Sequence, residues 1–255
     1  MQTIEVATSS RTYDVHIACE LLPRVGEIAR STAGGSRAMV VSNTDVAPLY
    51  SDTVLASLRD AGYDVHIHVV ESSETVKNIA ELARLLEHCA EAELTRDDVV
   101  VALGGGVVGD LAGFAAATYM RGCKLVQVPT SLLAMVDSSV GGKTAVDLVH
   151  GKNLAGAFFQ PRAVVASVEA LDTIAPTLFA DSCGEVIKYG VMCDPDLFAS
   201  LEKTPLTESR DDHERLGSVI ARCVEIKRDV VSNDECERGL RQTLNLGHTI
   251  GHAVE

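Results

Sequence analysis

An α/β domain followed by an all-helical one is the architecture this sequence predicts. Three observations carry it. Strand-like and helix-like segments alternate through residues 1–174, which argues for a mainly parallel sheet with helices on both faces. A strand–glycines–helix turn, Gly104-Gly105-Gly106-Val107-Val108-Gly109-Asp110, lies inside that alternation. From about Thr177 the strand signals stop and every periodic stretch has helical spacing. The boundary falls at Asp172–Pro176, giving domains 1–174 and 175–255. The last helical pattern runs to Glu255 with no glycine cap, so the helical domain reads as incomplete.

Taken in order, Thr3–Val6 and Tyr13–Ile17 read as short strands around a Ser9-Ser10 turn. Arg37–Ser42 contains Ala-Met-Val-Val, the run of a strand covered on both faces. Val46–Asp60 sets Val46, Leu49, Val54, Leu55 and Leu58 on one helical side. Val65–Val70 is strand-like, and Val76–Ala90 is helical through Ile79, Leu82, Leu85 and Leu86. Val99–Leu103 is a buried strand, followed by the glycines and an alanine-rich helix. Lys124–Val128 and Ala163–Val168 complete the strands. Leu178–Met192, Pro195–Leu201, Asp211–Val231 and Leu246–Glu255 read as helices.

Composition narrows the function. The chain has 255 residues, 46% of them hydrophobic, enough to bury a core without disulfide or metal staples. It carries 36 Asp+Glu against 22 Lys+Arg, a net charge of −14 that repels nucleic acids and anionic membranes but leaves room for a local basic pocket. With 4% aromatic residues and no Trp, a stacking surface for single strands is not expected. The 7 cysteines form no C-x-x-C pair, which disfavours a disulfide framework or a zinc knuckle. No basic region followed by an apolar stretch marks a signal peptide, and glycines and Asp110 interrupt the apolar run Val99–Tyr119. The protein reads as cytoplasmic, with neither nucleic-acid nor membrane partners.

Four motifs carry chemistry. The glycine turn fits G-x-G-x-x-G. Glycines let a phosphate approach the backbone, and the helix that follows offers free amides. The domain is therefore Rossmann-like, although the turn lies after several strands and the next acidic residue is Asp137. An acid for a ribose would come from upstream, from Asp45, Glu71 or Glu74. A plain tight turn is the alternative. The second motif is Pro129-Thr130-Ser131 with Asp137–Thr144, rich in hydroxyls and glycines around Lys143, then Gly151-Lys152-Asn153. It lacks phosphate-loop spacing. Two ordinary surface loops are the competing reading.

The third motif is Gly184-Glu185-Val186-Ile187-Lys188. Glu185 and Lys188 share a helix face, and on spacing alone an exposed ion pair is the better reading. In the fourth, Arg241 and Asn245 precede His248 and His252, an i, i+4 pair with metal-ligand geometry. Thr249 stands where H-E-x-x-H proteases place their base. A hydrogen-bonded pair near a domain interface is the alternative. Together these parts describe a dinucleotide-binding domain against a metal-capable helical one, with a metal-polarised hydroxyl beside a nicotinamide as a hydride-transfer site.

In order and spacing the whole chain resembles the 3-dehydroquinate synthases, a family of sugar-phosphate cyclases. The matching stretches are Asn43–Tyr50, Glu74–Lys77, GGGVVGD at 104–110, Met120-Arg121-Gly122, PTSLLAMVDSSVGGKTAV at 129–146, GKN at 151–153, Glu185–Gly190 and Arg241–Glu255. The resemblance implies a lyase dependent on NAD and on Zn2+ or Co2+. It would convert 3-deoxy-D-arabino-heptulosonate 7-phosphate to 3-dehydroquinate and phosphate, in the shikimate pathway to chorismate and the aromatic amino acids. In such enzymes a substrate hydroxyl is oxidised, phosphate leaves by β-elimination, the hydride returns, and ring opening and an intramolecular aldol step close the carbocycle. NAD is regenerated.

Carried over by position, Glu185 and His248 would be metal ligands, and His252 a catalytic group and not a ligand. Lys143, Asn153, Lys188, Lys227, Arg241 and Asn245 would hold the substrate, with Asp137 at its hydroxyls. Arg121 would reach the site of a neighbouring subunit, which implies a homodimer. NAD would lie on Gly105, Gly106, Val107, Asp110, Thr130, Ser131, Lys143 and Lys152, with Asp45, Glu74 and Lys77 at its adenosine end and Thr173 nearby. Family members continue past the position of Glu255 and draw a third metal ligand, a histidine, from there. The chain is therefore read as C-terminally truncated, with weak metal binding expected. The alternatives are a related cyclase for another sugar phosphate, a polyol dehydrogenase of the glycerol type, or an NAD-binding fragment without turnover.

Overall fold

A computed structural model describes residues 1–247. Leu246 and Gly247 form a turn, and the rest of the expected last helix, with His248 and His252, lies outside the described residues.

The chain opens with β1 (Gln2–Ala7) and β2 (Thr12–Ala18), antiparallel around the Ser9-Ser10 turn. Next come α1 (Val25–Thr32), β3 (Arg37–Asn43), α2 (Ala47–Asp60) and β4 (Asp64–Val70). They are followed by α3 (Ile79–Glu91), β5 (Val99–Gly104), α4 (Gly106–Thr118) and β6 (Lys124–Pro129). A hairpin of β7 (Lys143–Leu148) and β8 (Gly151–Phe158) precedes β9 (Ala163–Ser167). From there on the long elements are α5 (Pro176–Cys193), α6 (Pro195–Lys203) and α7 (His213–Asn233).

The main sheet has the order β1-β2-β9-β6-β5-β3-β4, and every pair except β1–β2 is parallel. Both faces are covered, which is why the strands are runs of Val and Ala without polar alternation. Ala38 and Val40 pack toward α1 and α2, while Met39 and Val41 pack toward α3 and α4. Helices thus change sides between β3 and β5. In such sheets the crevice at the carboxyl ends of the strands, where the order reverses, is where ligands bind. A third core joins β1, β2 and β9 to α5 and α7, so the helical segment shares an apolar interior with the sheet. Among the described residues no helix is long and apolar enough to cross a membrane.

Four expectations need correction. Helix α1 is absent from the expected elements, although Val25, Ile28 and Ala29 give it an apolar side. The strands expected above omit residues 143–158, which form a two-stranded sheet with a bulge between Val146 and Leu148. Its second strand is small and largely exposed, so it lacks the apolar alternation that marks a strand. The helix expected from Val76 begins at Ile79, after a short 3-10 turn at Glu74–Val76. Leu49, assigned to the buried side of α2, is 53% exposed.

A glycine where α1 crosses α2 gives a direct test of packing. A Cβ at Gly26 in α1 would stand 2.0 Å from the carbonyl oxygen of Ser57 in α2. The Gly26 N–H also donates to Ser57 Oγ at 2.9 Å. Gly26→Ala is expected to cost about 2–3 kcal/mol through overpacking, read as a lower urea midpoint with an unchanged slope.

Candidate active site

The residues expected at the cofactor line up along the carboxyl ends of the parallel strands. Asp45 follows β3, where Asn43 Oδ1 accepts from the Asp45 and Val46 amides at 3.2 and 2.9 Å. Glu74 and Lys77 follow β4, Gly105 follows β5, and Thr130 and Ser131 follow β6. Thr173 follows β9, its Oγ1 2.6 Å from the Tyr50 hydroxyl. Gly105 caps α4 without a side-chain hydrogen bond, so the amides of the first turn face outward. A Cβ on Gly104 would stand 2.8 Å from the Val108 side chain, and one on Gly105 would stand 3.4 Å from Ser131 Oγ. Gly104 therefore leaves no room for a side chain, and the backbone of the turn stays bare for the close approach that a pyrophosphate needs. Val107 lies in that first turn, and Lys152 is exposed on β8.

Beside the turn, buried Lys77 gathers four groups. Its Nζ is 2.7 Å from Asn153 Oδ1, 3.2 Å from Asp110 Oδ2, 3.3 Å from Glu74 Oε1 and 3.9 Å from Asp147 Oδ1. Asn153 adopts φ 58° at the start of β8, and its N–H donates to Asp147 Oδ1 at 2.7 Å. The structure thus brings Asn153, expected among the substrate groups, to the Lys77 cluster.

Burial pushes the Asp110 carboxyl up to about 6, with Lys77 opposing the rise and Glu74 and Asp147 adding to it. A carboxyl whose folded pKa exceeds its unfolded value takes up a proton on folding. Its charge weighs against the fold above about pH 6 and ceases to as the pH falls toward 3.8. The urea midpoint of Asp110→Asn relative to wild type is therefore expected to shift upward between pH 4 and pH 8. A pH-independent difference would contradict this.

The second constellation is built where α5 and α7 meet the segment after β6. A π-helical turn over Ala134–Ser138 turns Asp137 toward the helices. Lys227 of α7 donates to the Asp137 backbone oxygen and to Oδ1, both at 2.6 Å, and Tyr189 donates to Oδ1 at 2.9 Å. Burial pushes the Asp137 carboxyl up, but Lys227 and then Lys188 outweigh it and hold it well below the usual carboxylate range. Glu185 pairs with Lys188, which also donates to the Leu244 carbonyl oxygen. Both side chains are 8% exposed, so the exposed ion pair expected from spacing is corrected to a buried one: their face of α5 is turned inward. Burial, reinforced by the Asp137 charge, pushes the Glu185 carboxyl up to about 7, against the pull of Lys188.

Arg241 closes this group. It is 1% exposed, its Nη1 donates to the Glu235 carbonyl oxygen at 2.6 Å, and its Nη2 has no hydrogen-bond partner among the described residues. Lys143, at the head of β7, pairs with Glu237, which also accepts from Asn245 Nδ2 at 2.6 Å. The two constellations adjoin. A Cβ on Gly106 would meet Ser138 Oγ at 3.3 Å, so the glycine turn abuts the π-helical turn that carries Asp137.

Arg121 is not brought here. It sits beyond the far end of α4, about 18 Å along the helix from Gly106, at φ 64° next to Met120 at φ 51°. Tyr189, Glu235, Glu237 and Asp147 belong to the site and carry no signal in the sequence beyond their nearness to the motifs. Among the described residues no three His, Cys, Asp or Glu side chains converge as a metal cage, so Glu185 is the one expected ligand they supply.

These features define a class: an α/β-plus-helical enzyme whose candidate small-molecule site lies between the carboxyl edge of a parallel sheet and a cation-rich helical layer. Comparison with known proteins makes it specific. Residues 67–181 match the 3-dehydroquinate synthase N-terminal family model, and residues 182–255 the corresponding C-terminal one. The 3-dehydroquinate synthase of Citrifermentans bemidjiense is 46% identical over 254 residues, spanning 100% of this chain and 70% of that protein. That of Geobacter metallireducens is 47% identical, spanning 100% and 71%. A solved structure of 2-deoxy-scyllo-inosose synthase with carbaglucose-6-phosphate, NAD+ and Co2+ superposes with a TM-score of 0.88 at 27% identity, covering 99% of this chain and 68% of that one. An iron-containing alcohol dehydrogenase at 15% identity and a TM-score of 0.69, covering 86% and 67%, shares the fold alone. The chain belongs to the 3-dehydroquinate synthase family.

Proposed function

We propose that this site carries out the 3-dehydroquinate synthase reaction, turning 3-deoxy-D-arabino-heptulosonate 7-phosphate into 3-dehydroquinate and phosphate. The observation that carries it is the convergence of buried Lys188, Lys227 and Arg241 with Lys143 beside a glycine turn, an arrangement suited to a small polyanion next to a dinucleotide. The related 2-deoxy-scyllo-inosose synthase was solved with NAD+ and Co2+, and a 2-epi-5-epi-valiolone synthase from Streptomyces hygroscopicus with NAD+ and Zn2+. The uncapped α4 turn and buried Glu185 suit the same two groups. Gly105, Gly106, Val107, Asp110, Thr130, Ser131 and Lys152 would hold NAD, with Asp45, Glu74, Lys77 and Thr173 around it. Glu185 would hold the metal together with His248.

When bound, these groups supply reversible hydride transfer and polarisation of the reacting hydroxyl. The chain's own residues do the rest. Arg241 offers Nη2, which has no hydrogen-bond partner among the described residues, and Lys143 and Asn245, once exchanged from Glu237, bind the anionic ends. Lys227 fixes Asp137 as a carboxylate, an acceptor that orients substrate hydroxyls. Lys188 balances Glu185, and Asn153 joins the substrate side to the cofactor side. His252 serves as a catalytic group. Arg121, remote from this site, would complete the site of a second copy in a homodimer, which light scattering tests by mass. Free cysteines at all 7 positions suit a reducing cytoplasm. Residues 1–174 and 175–255 serve as the cofactor and metal-and-substrate domains.

The test is phosphate release from the heptulosonate phosphate with Zn2+ and substoichiometric NAD. Many phosphates per NAD with no net NADH are expected. Stoichiometric NADH would favour a dehydrogenase instead.

A further inference from the structure

We propose that Glu235 is a positioning residue: the tip of the β1–β2 hairpin holds its carboxylate, and through its main chain it fixes the Arg241 guanidinium that receives the substrate. The inference rests on the reading of Arg241 as a substrate-binding group.

Glu235 lies in the loop between α7 and the short 3-10 turn Leu240–Asn245. Donors from two distant parts of the chain converge on its carboxylate. Ser9 Oγ donates at 2.5 Å, Ser10 N at 3.1 Å and Gln160 Nε2 at 3.0 Å, and the Ser10 hydroxyl donates as well. The serines are 226 and 225 residues away in sequence. The carbonyl oxygen of the same residue accepts Arg241 Nη1 at 2.6 Å. One residue is therefore fixed to the sheet by its side chain and holds the guanidinium by its backbone.

The hairpin also frames Arg241 from the other side. Tyr13 of β2 accepts the Gly141 N–H at 3.0 Å. Gly141 lies so close to Arg241 that a Cβ there would meet Nη2 at 2.5 Å. Nη1 is held and Nη2 has no hydrogen-bond partner among the described residues, which leaves it as the donor for a bound anion. Asp234 shapes the same loop by accepting the Arg238, Gly239 and Arg241 amides, but it is local to the loop and does not reach the sheet hydrogen bonds that Glu235 makes. Burial alone would push the Glu235 carboxyl up. The serine and Gln160 donors outweigh it and bring it down to about 2, so the clamp is charged across the neutral range.

The experiment compares Glu235→Gln, a Ser9→Ala/Ser10→Ala double variant and Arg241→Ala, and places Glu235→Gln in the Arg241→Ala background. The two clamp variants are expected to raise the KM for the heptulosonate phosphate about tenfold, with kcat within about threefold and the KM for NAD unchanged. In the Arg241→Ala background Glu235→Gln should add no further change, because the clamp acts through the guanidinium. The serine variant keeps Glu235 in place, so a poorly folding Glu235→Gln would not remove the test. If Arg241→Ala raises KM but both clamp variants leave it unchanged, or if their effects simply multiply with that of Arg241→Ala, the clamp is overturned. An unchanged KM in Arg241→Ala alone would overturn the underlying reading, and the proposal with it.

Discussion

Lys227→Met is expected to lower the unfolding free energy by about 3–5 kcal/mol at pH 7 and to abolish turnover. Lys227 is 4% exposed and makes two 2.6 Å contacts to Asp137. Methionine fills most of the volume but leaves the carboxylate buried with only Tyr189 and the Lys188 charge to balance it. The pH dependence gives the sign. In the wild type Asp137 titrates below its ordinary 3.8, so it stabilises the fold above that value and ceases to as the pH falls below it. Without Lys227, burial dominates and the carboxyl titrates higher, so the ionised form burdens the variant at neutral pH. The gap between wild type and variant, read from urea midpoints, should therefore narrow from pH 7 to pH 4. Asp137→Asn/Lys227→Met should recover most of the stability and none of the activity. A single variant as stable as wild type at pH 7 would refute the burial argument.

Arg241→Ala is expected to cut kcat/KM by about a thousandfold, mainly through KM, in line with removing one partner of a buried charged pair. Arg241→Lys should recover little of it. In the role proposed for it the guanidinium spans two functions, one nitrogen on Glu235 and one toward the substrate, and an ammonium cannot do both from one atom. Stability should change less than activity, because Nη2 has no hydrogen-bond partner among the described residues to lose. Steady-state kinetics beside a urea titration separates the two effects. A loss confined to stability would argue against the binding role.

The sheet was legible in the sequence because its strands are buried on both faces: Val99–Leu103 and the Ala-Met-Val-Val of β3 leave little else to be. The glycine turn was legible for the same local reason. The β7–β8 hairpin was not, since Gly151–Phe158 is small and exposed and only its pairing with β7 makes it a strand. Spacing found Glu185 and Lys188 on one face of α5 but misjudged which way that face turns, and the direction is set by α7 and the segment after β6. Glu235 and Glu237 were illegible because their partners, Ser9, Ser10 and Lys143, are far away in sequence. The resemblance named most of the residues that converge. It did not foretell that Asn153 would meet Lys77.

The strand order also has a consequence for how the chain is made. β2 finds its parallel neighbour only in β9, with Asp14 beside Ala163, so the first hairpin has no sheet to join until β9 has left the ribosome. Its last anchor, Glu235, is translated later still. Closing loops of that length is the slow part of assembling a parallel sheet. The first hairpin is therefore made well before the residues it docks against, and the contacts around Arg241 cannot be completed until Glu235 has been made.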